Sequence, residues 1–287
     1  MYTPASVDAA REFGIPVIVY LHNYEHFCPY LFKSYNPLTT PKEIRRKFWP
    51  WSVRVQQPFV HLLLQWHERA LRKADLIIAN SKSMAKILQH YYTLDAKILF
   101  PIIDIERYAV KKKGNAITFI NPIKAKGVEV FIKIAKRIPQ KQFLVVGGIF
   151  PEYLAEIKRL ANVTYLPWTE SMKTVYEKTR LLLVPSLWPE PFGRVPLEAA
   201  ISGIPSIVSN RGGLPEAVGQ GGIVIDDPKD IDAWVSAIAS FDDSSFYKQK
   251  STAAKKHALL YTKEKQRKRL EALVKQVLHE QKRQQVP

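Results

Sequence analysis

The sequence predicts an α/β protein made of two doubly wound parallel-sheet domains, the first of them incomplete. Short apolar runs alternate with segments of helical periodicity, which is typical of βαβ units and a parallel sheet. Three such runs precede Tyr108 and six follow it. A doubly wound sheet of three strands would leave an exposed edge and uncovered apolar surface. We therefore expect the first domain to lack part of its sheet.

The predicted first domain covers residues 1–107. Apolar runs that suit buried strands lie at 16–21, 76–79 and 98–100. Ser81 is placed to cap the helix that follows the second of these strands. The segment 102–114 has no apolar periodicity and ends in three lysines and a glycine, which puts the domain boundary near Tyr108.

The predicted second domain covers residues 108–261 and is more regular. Its strands are expected at 116–120, 143–146, 163–166, 181–185, 206–208 and 222–225. Helical patterns lie between them, at 128–137, 152–160, 171–178, 196–202 and 215–218. Six strands with crossover helices describe a complete doubly wound domain. The remaining residues, 262–287, predict a basic amphipathic helix.

The amino-acid composition indicates a globular protein and the kind of partner that it binds. Hydrophobic residues make up 46% of the chain, enough for a buried core, and the formal charge of +17 favours an anionic partner. Cys28 is the only cysteine, so an intrachain disulfide is excluded and a reducing compartment is expected. No apolar run approaches the roughly 18 to 20 residues of a membrane span. We therefore expect a cytoplasmic protein, with the inner face of the membrane as a peripheral binding surface.

Two glutamates flank the turn after the fourth strand of the second domain. Ligands of open parallel sheets bind outside the carboxyl ends of the strands, which is where Glu190 and Glu198 fall. Pro196 suits the first turn of a helix, so the helix begins just after Phe192 and Gly193, and its free N–H groups suit an anion. We assign Glu198 to the hydroxyls of a ribose and Glu190 to a hydroxyl of a transferred sugar. The alternative is a pair of surface carboxylates favoured by the helix dipole.

Two further turns follow strands of the same domain. Asn121 opens the turn after the first strand, and Lys126 stands at the entry to the next helix, where its ammonium can neutralise a departing diphosphate. The alternative for Lys126 is a solvated lysine in a chain with 43 Lys and Arg. The turn at 211–216 contains a glycine pair that supplies either a close backbone approach or a simple turn. The aspartates at 226–227 and 242–243 lack a third ligand, so no metal site is predicted.

The segment 185–218, PSLWPEPFGRVPLEAAISGIPSIVSNRGGLPEAV, resembles the Glu-x7-Glu signature region of family 4 glycosyltransferases. The similarity continues at 120–127, at 76–83 (LIIANSKS) and at 14–29 (GIPVIVYLHNYEHFCP). The resemblance implies a GT-B fold of two facing Rossmann-like domains. It also implies a nucleotide-sugar donor, retention of configuration at the anomeric carbon, and no essential metal cofactor.

The resemblance also implies a role for each matching residue. Glu190 and Lys126 act at the reacting centre, as does His22, which follows a strand end like the family's first-domain histidine. The residues implied to bind the donor are Glu198, Phe192, Gly193, Asn121 and Arg194. The family often has Arg at the position of Asn121 and His-Asp where this chain has His22 and Asn23. Family members also begin with a glycine-rich loop and further strands, so we expect either a piece of a longer protein or one that works differently.

These observations predict a retaining hexosyltransferase of polysaccharide biosynthesis, with a saccharide or lipid-linked acceptor. The alternative is a catalytically silent nucleotide-sugar-binding module. A sugar-nucleotide epimerase is disfavoured by the glutamate pair, and nucleic acid is not expected as a partner, because charge alone supports it. The segment 41–54 interleaves cations with Trp49 and Trp51, which suits either a peripheral anionic membrane contact or a basic acceptor-side surface.

Overall fold

The computed structural model describes residues 4–24, 57–111 and 114–284 of the chain. The expected membrane-contact segment at 41–54 and Cys28 lie outside the described residues. The chain divides into two compact units, the first formed by Met1–Pro101 with Glu264–Pro287 and the second by Ile102–Lys263. Among the helices that the structure describes, none combines the length and the apolar character needed to cross a bilayer.

The elements alternate along the chain as βαβ units require. The strands are β1 (Ile18–Leu21), β2 (Leu76–Ala79), β3 (Lys97–Ile98), β4 (Ala116–Ile120), β5 (Phe143–Val146), β6 (Val163–Leu166), β7 (Thr179–Val184), β8 (Ser206–Ser209) and β9 (Gly222–Ile225). The helices are α1 (Pro4–Glu12), α2 (Gln57–Lys73), α3 (Lys82–Tyr92), α4 (Ile105–Tyr108), α5 (Val128–Arg137), α6 (Pro151–Lys158), α7 (Met172–Tyr176), α8 (Arg194–Ile201), α9 (Leu214–Val218), α10 (Ile231–Ser240), α11 (Ser244–Ala258) and α12 (Lys263–Gln284).

The first unit contains a parallel sheet with the strand order β1-β2-β3. Ser81 caps α3, as predicted, because its hydroxyl accepts a hydrogen bond from the Met84 amide at 2.9 Å. The C-terminal helix α12 belongs to this unit. Its Gln266 side chain accepts a hydrogen bond from the Phe100 amide at 3.2 Å, and its Gln281 amide donates to Asp75 at 3.2 Å.

The second unit contains a parallel six-stranded sheet with the order β6-β5-β4-β7-β8-β9. From β4 the chain first builds outward through β5 and β6, then returns to the other side of β4 with β7. The strand order therefore reverses between β4 and β7, which is where open α/β sheets bind their ligands. The core beneath this point includes the stacked rings of Phe119 and Phe131, with centroids 5.0 Å apart, and fully buried Trp234.

The six-stranded sheet confirms the predicted fold class, and four of its strands have the predicted bounds. The division of the chain differs slightly from the predicted domains 1–107, 108–261 and 262–287. The second unit begins at Ile102, since Tyr108 packs edge-on against Tyr176 at 6.4 Å and the Val110 amide donates to Ser202 at 2.8 Å. The tail groups with the first unit from Glu264 onward.

Three helices lie where the sequence predicts none: α4, α10 and α11. All three are capped by aspartates, and Asp104 accepts from the Arg107 amide at the start of α4. Asp230 accepts from the Ala233 amide at the start of α10, and Asp243 accepts from the Ser245 amide at the start of α11. Asp243 belongs to one of the aspartate pairs considered for a metal, and it has a helix-capping role instead.

The two ends of the second unit lie next to each other. Ile103 and Thr262 form a parallel bridge, and the Ile103 amide donates a hydrogen bond to the Tyr261 carbonyl at 3.0 Å. The segment Ile102–Lys263 therefore begins and ends at neighbouring points.

We expect Gly127→Ala to lower the free energy of unfolding by at least about 2 kcal/mol. Gly127 has a φ of +85°, and an added Cβ would lie 2.0 Å from the Pro185 carbonyl oxygen. Urea unfolding measures the loss. Gly148→Ala is the matched control, because an added Cβ there meets nothing within 4 Å. Equal stability of the two variants would contradict the close approach of the chain at Gly127.

Candidate functional site

Two turns at the carboxyl ends of β4 and β7 are tied together by main-chain hydrogen bonds. The β4 turn covers residues 121–127, and the β7 turn covers residues 185–193. The amides of Leu187 and Trp188 both donate to the Ala125 carbonyl at 3.0 Å. The main chains of Gly127 and Pro185 also touch, because Gly127 has no side chain. The two turns therefore form one rigid surface at the point where the strand order reverses.

Lys126 and Glu190 form a direct ion pair across the two turns. The ammonium of Lys126 contacts Glu190 Oε1, and the Ser186 hydroxyl donates to the same oxygen at 2.8 Å. The side chains of Lys126 and Glu190 are 27% and 10% exposed, so the pair is largely withdrawn from solvent. Ser186 is held in turn by β8, since the Ser209 hydroxyl donates to its carbonyl at 2.7 Å.

A third turn, at residues 210–213 after β8, supports the main chain of Glu190. The Gly213 amide donates to the Glu190 carbonyl at 2.7 Å, and Glu190 forms a parallel bridge with Gly212. Gly212 has a φ of +62°, and a Cβ there would lie 2.1 Å from the Glu190 carbonyl oxygen. Of the two alternatives for the glycine pair, the structure shows a close approach of the backbone, in this case to the main chain of Glu190.

The helix α8 begins at Arg194, directly after the β7 turn, as predicted from Gly193 and Pro196. Gly193 precedes it with a φ of +93°, and no described side chain caps its first amides. These amides are of the kind that bind anions at helix N-termini. The Phe192 side chain does not line a site, because it is buried with its ring 5.6 Å from that of Tyr261. The predicted donor contact of Phe192 therefore concerns its main chain and not its ring.

Glu198 lies in α8 and is buried, with 8% of its surface exposed. Its Oε2 accepts a hydrogen bond from the Tyr176 hydroxyl at 3.0 Å, and its Oε1 lies 3.8 Å from Arg194 Nε. Burial raises the pKa of Glu198, and the hydrogen bond from Tyr176, the charge of Arg194 and the hydrogen bond from Tyr108 counteract this rise. Burial and the neighbouring Glu198 charge raise the pKa of Tyr176 well above its ordinary value.

The remaining predicted residues are Asn121, in the second unit, and His22, in the first. Asn121 is exposed with a φ of +63°, and its amide donates to the Val146 carbonyl at 2.8 Å, so its main chain shapes the β4 turn. His22 lies in the first unit, directly after β1, where its carbonyl accepts from the Asn80 side chain at 3.0 Å. Partial burial lowers the pKa of the His22 imidazole.

Three side chains of the site were not predicted from the sequence. Ser186 follows β7 directly and could have been singled out by that position alone. Tyr176 and Tyr108 come from short helices, and only the folded chain brings them to Glu198. Within residues 4–24, 57–111 and 114–284, no three His, Cys, Asp or Glu side chains are grouped so as to hold a metal ion.

Two family descriptions match the chain along most of its length. Residues 2–107 match the one named Glycosyltransferase Family 4, and residues 114–242 match the one named Glycosyl transferases group 1. The chain belongs to the family 4 glycosyltransferases. The family's signature region contains the β7 turn and α8, the elements that carry Glu190 and Glu198.

Curated relatives of the chain are longer than the chain itself. The D-inositol 3-phosphate glycosyltransferase of Rhodococcus erythropolis is 29% identical over 60% of this chain and 47% of its own length. A protein of the cps region of Klebsiella pneumoniae is 29% identical over 54% of this chain and 48% of its own length. The chain thus spans about half the length of the curated relatives it matches.

Solved structures share the fold at low sequence identity. Sucrose-phosphate synthase from Thermosynechococcus elongatus is 20% identical, with a TM-score of 0.72 over 96% of this chain and 71% of that one. Anabaena HepE in complex with UDP is 18% identical, with a TM-score of 0.73 over 95% of this chain and 76% of that one. These neighbours confirm the predicted GT-B fold class.

We expect Lys126→Ala to lower the free energy of unfolding by about 1 to 3 kcal/mol, because it leaves a mostly buried carboxylate without its cation. Lys124→Ala is the matched control. Lys124 lies 3.4 Å from Glu129 in a pair whose side chains are 64% and 45% exposed. An exposed pair of this kind contributes about 0 to 1 kcal/mol. If urea unfolding gave equal losses for the two variants, the interpretation of the Lys126 pair as largely desolvated would be wrong.

We expect the buried Glu198 carboxyl to make stability depend on pH. Because its pKa in the folded chain is raised above the ordinary value of 4.5, the folded chain holds this proton more tightly than the unfolded chain does. Its contribution to the free energy of unfolding is therefore full below about pH 4.5 and is lost as pH rises through the folded-state pKa. Glu198→Gln should remove that part of the slope when unfolding is followed across pH. An unchanged slope would mean that the carboxyl titrates normally.

Proposed function

We propose that this chain provides the donor-binding machinery of a retaining hexosyltransferase that uses a nucleotide-diphosphate sugar. The observation that carries the proposal is the contact of Lys126 with Glu190 at the reversal of the strand order, beside the free amides of α8. A cation and a helix N-terminus suit a diphosphate, and a carboxylate suits sugar hydroxyls. The three groups together match a sugar diphosphate.

The ion pair can receive such a donor without breaking. Glu190 uses Oε1 for Lys126 and Ser186, and its second oxygen is available to accept a hydroxyl of the transferred sugar. An ammonium carries three N–H donors, so Lys126 keeps donors for the diphosphate while it holds Glu190. The pair thus places the sugar and the leaving group at a fixed spacing.

The proposed reaction breaks the bond between the anomeric carbon and the terminal phosphate oxygen. Negative charge then develops on the phosphate, where Lys126, the first amides of α8 and Arg194 stabilise it. The acceptor hydroxyl attacks from the face that the leaving group vacates, and its proton passes to the phosphate. Configuration at the anomeric carbon is retained.

The other donor contacts follow from position. Glu198 accepts the ribose hydroxyls, and the main-chain amides of Phe192 and Gly193 face the donor. Asn121 stands in the phosphate-side turn in place of an arginine, so Lys126 provides the fixed positive charge there. We assign His22, on the first unit, to the reacting sugar. We also propose that transfer needs no metal cofactor.

Names of similar proteins support a nucleotide sugar as the donor. HepE of Anabaena has been solved with UDP-glucose, and several relatives are D-inositol 3-phosphate glycosyltransferases. For this chain we propose a saccharide or lipid-linked acceptor, reached from a peripheral position on an anionic membrane. The segment that would make this contact, residues 41–54, lies outside the described residues. The second candidate is a silent sugar-nucleotide-binding module.

We expect Glu190→Gln to lower kcat/KM for radiolabelled UDP-glucose, followed as transfer or hydrolysis, by about 10- to 100-fold. The reason is the loss of a charged hydrogen bond to the sugar, of about 1.5 to 3 kcal/mol. Glu129→Gln is the control, since Glu129 is the exposed partner of Lys124 and should leave the rate unchanged. If the wild type were active and Glu190→Gln were equally active, the proposed role of Glu190 would be wrong. A wild type that binds UDP but shows neither transfer nor hydrolysis would favour the silent module.

A further inference from the structure

Tyr176 is a buried side chain that the reaction above leaves without a role. It ends α7, is fully buried and directs its hydroxyl to Glu198. We propose that Tyr176 is a positioning residue that fixes the carboxylate of Glu198 so that one oxygen is kept for the ribose of the donor. This inference rests on the proposed function, in which Glu198 accepts the ribose hydroxyls.

The two oxygens of Glu198 face different surroundings. Oε2 lies 3.0 Å from the Tyr176 hydroxyl, which is fully buried. Oε1 lies 3.8 Å from Arg194 Nε, too far for a hydrogen bond, and the Arg194 side chain is 53% exposed at the start of α8. The hydrogen bond to Tyr176 therefore turns Oε2 inward and leaves Oε1 toward the exposed start of the helix, where the proposed donor lies.

A second tyrosine supports Tyr176. The ring of Tyr108 packs edge-on against that of Tyr176, with centroids 6.4 Å apart, and Tyr108 is also among the groups that lower the pKa of Glu198. Tyr108 is held in place by the Ser202 hydroxyl, which donates to its carbonyl at 3.4 Å and accepts from the Val110 amide at 2.8 Å. The carboxylate is thus hydrogen-bonded from α7, and α4 packs against the tyrosine that holds it.

The charged and titratable groups that act on Glu198 come from three helices. They are Tyr176 of α7, Tyr108 and Arg107 of α4, and Arg194 of α8 itself. Hydroxyl donors and arginines favour the ionised form, which opposes the effect of burial. Removing the Tyr176 hydroxyl takes away the hydrogen bond with the largest such effect, so the pKa of Glu198 rises further.

The higher pKa of Glu198 predicts a change in how nucleotide binding depends on pH. The ionised carboxylate accepts ribose hydroxyls more strongly than the protonated acid does. Nucleotide binding therefore weakens as pH falls through the pKa of Glu198. With Tyr176→Phe that pKa is higher, so binding begins to weaken at a higher pH. The Glu198 side chain can also change rotamer in this variant, which lowers the affinity at every pH.

The test uses the full chain and UDP as the probe. Calorimetry from about pH 5 to about pH 8 gives the affinity, and carbon NMR of the Glu198 carboxyl in the free protein gives its pKa. For Tyr176→Phe we expect an affinity lower by about 3- to 10-fold at neutral pH, a loss of binding that begins at higher pH, and a raised pKa. Tyr247→Phe is the control. It removes a hydroxyl that donates to the Arg180 carbonyl at 3.1 Å and should behave as wild type.

Each outcome bears on the proposal. An unchanged affinity profile in Tyr176→Phe, or a loss of equal size at every pH with an unmoved Glu198 pKa, would overturn it. If the wild type bound no UDP at any pH while Tyr176→Phe still raised the Glu198 pKa measured by NMR, the proposed function would be wrong, and the effect of Tyr176 on Glu198 would stand. Glu198→Gln covers the case in which Tyr176→Phe does not fold. It should remove the part of the pH dependence that Glu198 causes and leave the part that comes from the UDP phosphate, and a profile unchanged from that of the wild type would also overturn the proposal.

Discussion

The ion pair between Lys126 and Glu190 is the interaction on which the proposed donor site depends. Each partner sits in a turn fixed by a central strand, and the turns are joined by main-chain hydrogen bonds to Ala125. Burying two charges is costly unless each is paired and hydrogen-bonded, and Ser186 completes the pairing. A positive charge held in this way needs no rearrangement when phosphate charge develops nearby, and that is how preorganised sites lower a barrier.

The sheet of the second unit could be predicted because its strands are buried on both faces. β5, for example, is buried at every residue and appears in the sequence as one continuous apolar run. The β7 turn and the start of α8 were also predictable, because glycine and proline mark them. In contrast, α11 buries only Ala254 and Ala258, so it has no apolar stripe that would reveal it.

The contacts of the site depend on strand register, which local sequence does not encode. Lys126 and Glu190 could each be proposed from position after a strand, but their meeting requires β4 to pair with β7. The same holds for the tyrosines at Glu198, whose helices are four and five residues long. Helices this short owe their formation to packing, so neither their existence nor their partners follow from propensity.

The adjacency of Ile103 and Thr262 gives the second unit a modular character. A continuous segment whose two ends emerge at one place behaves as an insertion within the rest of the chain, and such segments can be exchanged with little disturbance to their host. The unbroken block Ile102–Lys263 also carries every proposed donor contact except that of His22. Replacing this block as a unit would therefore exchange these proposed contacts together and leave the polypeptide on either side of it in place.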